Sequence, residues 1–166
     1  MSVHGHCGLE AVRETTEFDR IEFDLVYPPG IENHYWSVAR SAIICGEICR
    51  HRWTDLKWIE VGCGRGIVLQ ALRNAGLGVM GAELAAVPLL EEVAAHVFYG
   101  QDAVNFRSKF GTVLGGLMLL DVIEHVADPV EFLTRLLNRL PNVRGGDPQL
   151  QLCAAFAGAW FDFRAL

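Results

Sequence analysis

No stretch of this 166-residue sequence is apolar for long enough to cross a bilayer: the longest, Val113 to Leu120, falls far short of the ~20 residues a spanning helix needs. Basic residues are outnumbered, with 14 Lys and Arg against 20 Asp and Glu and a formal net charge of −6. No basic run or stripe is present, which argues against a nucleic-acid backbone as main partner, because phosphate binding rests on clustered cations. The cysteines number five, an odd count without paired spacings, and so do not describe a disulfide framework. Cys7 lies in a polar segment and Cys45, Cys49, Cys63 and Cys153 lie among apolar neighbours, as expected of thiols in a reducing cytoplasm. The opening residues, Met-Ser-Val-His-Gly-His-Cys-Gly, lack a basic start followed by an apolar core, so no secretory signal is expected. Internal repeats and low-complexity tracts are missing too. The expectation is a soluble cytoplasmic protein.

What is present is a core. Hydrophobic residues make up 51% of the chain and charged residues 20%, enough for one domain that buries roughly two-thirds of its unfolded surface. Residues 1–33, with Gly5, Gly8 and Pro28-Pro29-Gly30, read as an irregular arm with a short extended piece at Ile21 to Val26. The domain then occupies residues 34–166. Trp36, Ala39, Ile43, Ile44 and Ile48 recur at helical spacing, and Asn33 is available to cap that helix. Lys57 to Gly62 is β-rich and stops at glycine, hence a first strand. Val68, Leu69, Leu72 and Ala75 mark a helix ending at Gly76.

Leu77 to Leu84 predicts a second strand, Pro88 to about Ala95 a short helix, and His96 to Tyr99 a third strand. Thr112 to Leu120 reads as a strand covered on both faces. Asp128-Pro129-Val130-Glu131 is a strong helix start: Asp accepts from free N–H groups and Pro fits the first helical position. Phe132, Leu133, Leu136, Leu137 and Leu140 give that helix its buried face, and Pro141 ends it. A fifth strand is expected at Gln149 to Phe156. Strands alternating with helices predict an α/β, doubly wound, mainly parallel sheet with helices on both faces.

Open parallel sheets bind ligands beyond the carboxyl ends of their strands, so the first strand-to-helix turn, Gly62-Cys63-Gly64-Arg65-Gly66, is the place to look. A dinucleotide fingerprint requires G-x-G-x-x-G, but Ile67 stands where its third glycine belongs. No Gly-Lys-Ser/Thr follows, so a Walker loop fails as well. Glu60, at the strand end, suits a cationic ligand better than a pyrophosphate.

Glu60 through Gly66 resembles the E-x-G-x-G-x-G signature of the class I S-adenosylmethionine-dependent methyltransferases. That resemblance implies a Rossmann-like fold, S-adenosylmethionine as cofactor and a small-molecule methyl acceptor. It places the cofactor against Glu60, Gly62, Cys63, Gly64, Gly66, Glu83, Leu84, Asp102, Ala103, Asp121 and Val122. Glu60 falls near the methionine amino group, Glu83 at the ribose hydroxyls, and Asp102 with Ala103 at the adenine. Asp121-Val122-Ile123-Glu124-His125-Val126-Ala127-Asp128-Pro129 is similar to the D-x-x-E-H-x-x-D-P stretch of small-molecule members and belongs beside the sulfonium and the acceptor. The resemblance covers residues 34 to about 142.

His125 is the expected general base, since an imidazole ordinarily titrates near neutrality. Asp121, Glu124 and His125 are also similar to a divalent-ion cluster of some relatives, which adds a downstream histidine. No histidine follows His125 here, so no metal is expected. Cys45 and Cys49 share a helix face and read as core side chains. The family fold has seven strands, and little sequence follows Leu140. The last strands are therefore expected to be missing, with Ala154 to Leu166 the tail of a truncated or frame-shifted chain. The fifth strand would then be an exposed apolar edge, inviting a homodimer through that edge or the tail. The alternatives to an active enzyme are a degenerate cofactor-binding module and a nicotinamide-dependent oxidoreductase.

Overall fold

The computed structural model describes residues 25, 27–105, 114–144, 151–156 and 159–161, the last two stretches as backbone. The short extended piece expected at Ile21 to Val26 lies outside these residues apart from Leu25, as do His4, His6 and Cys7.

Helix α1 (Tyr35–Arg50) precedes strand β1 (Lys57–Val61), helix α2 (Ile67–Asn74) and strand β2 (Gly78–Glu83). Strand β3 (Val97–Tyr99), strand β4 (Gly116–Leu120), helix α3 (Pro129–Arg139) and a short helix α4 (Pro141–Arg144) follow. Strands β5 (Gln151–Phe156) and β6 (Ala159–Phe161) complete a six-stranded sheet of order β3-β2-β1-β4-β5-β6. All neighbours run parallel except β6, which is antiparallel to β5.

The β1 side chains alternate between two apolar layers, as strand geometry requires. Trp58 joins Ile44, Ile48, Leu69, Leu72, Val79 and Met118 beneath α1 and α2. Ile59 and Val61 join Leu117, Leu119, Leu136 and Leu140 beneath α3. Glu60 is in phase with Trp58, so the fold directs an acidic side chain toward the α1–α2 layer. The Trp58 ring lies over its register partner Gly116 on β4, where a Cβ would stand 2.3 Å from the ring.

Several boundaries differ from the sequence reading. Asn33 does not cap α1. It belongs to a 3₁₀ turn, Ile31–Asn33, and the cap is His34, whose Nδ1 accepts from the Trp36 N–H at 3.4 Å. The helix expected from Pro88 is a 3₁₀ segment, Glu91–His96, preceded by an extended Leu90 whose N–H donates to the Arg65 carbonyl at 2.9 Å. Pro141 ends α3 but also opens α4. Asp128 does cap α3, accepting from the Glu131 N–H at 2.9 Å, with Pro129 in the first turn. The expected bare edge at β5 is not found, since β6 pairs along it from Ala154 to Phe156. A three-residue strand in an apolar tail lacks the length that makes alternation visible.

Candidate cofactor and active site

Strand order reverses between β1 and β4, and there, beyond the carboxyl ends of β1, β2 and β4, lies a cavity of about 540 Å³. The loop after β1 forms one wall. Gly62 adopts φ 69°, and a Cβ on it would stand 2.6 Å from Val122 Cγ2. Only glycine lets this turn pass so close to the loop after β4. Gly62 N–H and Cys63 N–H both donate to the Ala82 carbonyl, at 2.8 and 3.3 Å, which pins the loop to β2.

Glu83 clamps the same loop from the side. Its Oε2 accepts from the Gly64 N–H at 2.7 Å and its Oε1 from the Ala85 N–H at 2.8 Å. Each carboxylate oxygen keeps a second lone pair, so the group can still accept from a ligand hydroxyl. Asp102 is arranged alike: Oδ1 accepts from the Val104 N–H at 2.9 Å, starting the turn that carries Ala103.

Glu60 is only 3% exposed, and its Oε2 has no hydrogen-bond partner. Burial pushes its pKa up to about 8, with Glu83 adding to the rise and Arg40 and a backbone hydrogen bond opposing it. A buried acceptor without a donor is costly, and a cation entering the cavity would satisfy it. The Cys63 thiol is pushed up strongly, by burial first and then by Glu60 and Glu83, so it stays protonated and is no nucleophile.

The structure brings Glu60, Gly62, Cys63, Gly64, Glu83, Leu84, Asp102, Ala103, Asp121, Val122 and His125 to the wall of this one cavity. Gly66 is the exception among the expected residues. It stands at the α2 N-cap with φ 85°, where a Cβ would meet Val93 Cγ2 at 2.6 Å, so its place is in packing and not on the cavity wall. Among the described residues no three His, Cys, Asp or Glu side chains gather as a metal site.

Sequence reasoning missed the wall that α1 and the arm contribute. Arg40 reaches the cavity and pairs with Asp121 at 2.6 Å, while Asp121 itself sits at φ 55°. Tyr27, Ile31, Trp36 and Ser37 line the same side. The Tyr27 hydroxyl is raised by burial and then by Asp121, with Arg40 opposing. Its carbonyl accepts from Arg65 Nη1 at 3.2 Å, which ties the arm to the glycine loop. The available signal was Arg40 itself, a cation set between Ala39 and Ser41, one turn beyond Trp36.

No protein-family model matches the chain. Among curated proteins it is similar to a ubiquinone biosynthesis O-methyltransferase of a Ruegeria species, 29% identical over 67% of this chain and 47% of that one. A mitochondrial protein of the same description from Arabidopsis thaliana is 28% identical over 62% of this chain and 37% of its own. Among solved structures, a sugar N-methyltransferase from Streptoalloteichus superposes with a TM-score of 0.60 at 19% identity, covering 90% of this chain and 59% of that one. An S-adenosylmethionine-bound amino pentose methyltransferase from Micromonospora echinaspora gives 0.51 at 18% identity, over 76% and 52%. This is the class I S-adenosylmethionine-dependent methyltransferase fold. The chain spans about half the length of the curated relatives it matches. Among the described residues no helix of this methyltransferase-fold chain is long and apolar enough to cross a membrane.

Proposed function

We propose that the chain is a methyltransferase that binds S-adenosylmethionine in this cavity and methylates a small-molecule acceptor. The observation that carries the reading is the unpartnered, buried Oε2 of Glu60 beside a glycine turn that approaches without side chains. The cofactor's amino group fits that orphaned acceptor. Arg40 is the cation available for its carboxylate, Glu83 the two-oxygen acceptor for its ribose, and Asp102 with Ala103 the edge for its adenine. When bound, S-adenosylmethionine supplies an electrophilic methyl group on sulfur.

The chain's own residues then orient and deprotonate. Holding both reactants in line accounts for much of the acceleration, since effective molarities reach on the order of 10⁵ M or more. His125 lies on the wall of the cavity after β4, where it can take the proton an acceptor hydroxyl or amine must lose. The acceptor would enter between the loop after β4 and the arm, past Trp36, Val126 and Phe132. Sugar and ubiquinone-precursor chemistry among the similar proteins supports a small acceptor. No observation favours a non-catalytic module or a nicotinamide enzyme.

Calorimetry with S-adenosylhomocysteine and NAD, run side by side, tests the cofactor: binding of NAD alone would refute the reading. Product analysis over a panel of phenols and amino sugars then tests transfer. Residues 1–33 as an arm, residues 34–166 as the cofactor domain and a cytoplasmic setting belong to the same proposal. Self-association belongs to it too, through the β6 edge instead of β5; a monomer by light scattering at high concentration would refute it.

A further inference from the structure

Helix α1 carries a feature that the cofactor cavity does not use. Cys45 and Cys49 are four residues apart, hence on one face of the helix, and both are free thiols. Cys45 is half-buried against the apolar layer, whereas Cys49 is exposed, so they do not form the buried pair expected from sequence. Cys45 and Cys49 thus stand one turn apart along the same side of the helix.

Two chemistries are open to such a pair, and geometry separates them. Residues four apart on a helix hold their Cβ atoms roughly 5–6 Å apart. A disulfide needs about 3.5–4.5 Å between Cβ atoms, so an S–S bond here would have to unwind the turn. An ion bridging two thiolates asks for more separation. With metal–sulfur bonds of roughly 2.3 Å, a linear S–M–S unit spans about 4.6 Å between sulfurs. That span suits thiols projecting from adjacent turns of an intact helix. The donor set also selects the ion. Thiolates prefer soft cations, monovalent copper among them, and no third His, Cys, Asp or Glu among the described residues completes a tetrahedral zinc site.

We propose that Cys45 and Cys49 form a two-coordinate site for a soft monovalent cation of the copper(I) class on the flank of α1, at the edge of its packed face. Binding exchanges one cation for two protons: each thiol loses its proton, two sulfur–copper bonds form, and copper keeps its oxidation state. Burial first and Cys49 next hold the Cys45 thiol above its ordinary pKa, so the cation has to displace its proton.

The test is an anaerobic copper(I) titration of the whole chain against bicinchoninate, read by the chelator's colour and by thiolate-to-copper absorption. His4, His6 and Cys7 offer a second donor set, so the reference protein carries His4→Ala, His6→Ala and Cys7→Ser. The reference should withdraw a single copper ion from the chelator. Cys49→Ser, at an exposed position, should abolish that uptake while circular dichroism stays unchanged, and Cys45→Ala should do the same. Uptake that survives Cys49→Ser, or that is already lost in the reference, would overturn the proposal. So would rapid, complete formation of a Cys45–Cys49 disulfide with glutathione disulfide, seen by mass spectrometry.

Discussion

Glu60→Gln removes the ionisable group from a side chain that is 3% exposed and replaces it with a neutral one of nearly the same shape. In the unfolded chain this carboxyl ionises near its ordinary 4.5, whereas in the folded chain burial holds it to about 8. Between those values the native state keeps a proton that the unfolded state has lost. Stability from this group is therefore greatest at low pH, falls as pH rises above the unfolded value, and levels off past the folded one. Each unit of difference is about 1.4 kcal/mol, so near pH 7 the ligand-free protein is less stable by roughly 3 kcal/mol than if Glu60 stayed neutral. Glu60→Gln should recover most of that, and the gain should shrink as denaturation is measured at lower pH.

Cofactor binding should move the other way. Capture of an ammonium group favours ionised Glu60, so binding to the ligand-free protein releases a proton. Affinity of the native chain for S-adenosylhomocysteine should rise about tenfold per pH unit up to the folded pKa. Glu60→Gln should bind weakly with a flat profile over that range. Urea denaturation and calorimetry on the same two proteins measure both effects. A variant that is less stable than the native chain at neutral pH, or that keeps the native pH slope in binding, would refute the argument.

Arg40→Met should weaken S-adenosylhomocysteine binding by about tenfold or more by calorimetry, because a charge-assisted contact is worth roughly 1.5–3 kcal/mol. Its effect on stability should stay within about 1 kcal/mol, since the ion pair with half-exposed Asp121 lies near solvent. Gly66→Ala puts a Cβ 2.6 Å from Val93 at a left-handed φ and should destabilise by about 1–3 kcal/mol in urea. Asp128→Ala removes the α3 cap and should lower stability by about 1 kcal/mol with cofactor affinity unchanged. His125→Ala should retain cofactor affinity and lose about 10²–10⁴-fold in methyl transfer, measured by product formation.

The alternation of apolar runs, glycine stops and helix caps made the layer order legible in the sequence, because those are local preferences acting in phase with the fold. The strand ends carrying Glu60 and Glu83 were legible for the same reason: an acid at the end of an apolar run has few structural uses. Arg40 and Tyr27 were not, since their place depends on how α1 and the arm lie across the sheet, and nothing in their local spacing encodes that. Gly66 has a packing reason that its motif does not reveal. A glycine loop advertises ligand contact at every glycine, yet here one of three serves the approach of Val93. Strand β6 was invisible because three residues pair through backbone groups that any sequence supplies.

The misreadings share a cause with the site's design. β1 must place every second side chain under α1 and α2, and at Glu60 that rule delivers a carboxylate into an apolar layer. Folding alone would favour an apolar or neutral residue there, as the raised pKa shows. The same burial excludes water, so an arriving ammonium meets an acceptor that has nothing else to bond. Arg40, the nearby cation, is drawn off by Asp121 and leaves that acceptor unsatisfied. The ligand-free chain thus holds a protonated Glu60 near neutral pH and an Arg40 paired with Asp121, and a zwitterion carrying both an ammonium and a carboxylate would satisfy Glu60 while giving Arg40 a second anionic partner.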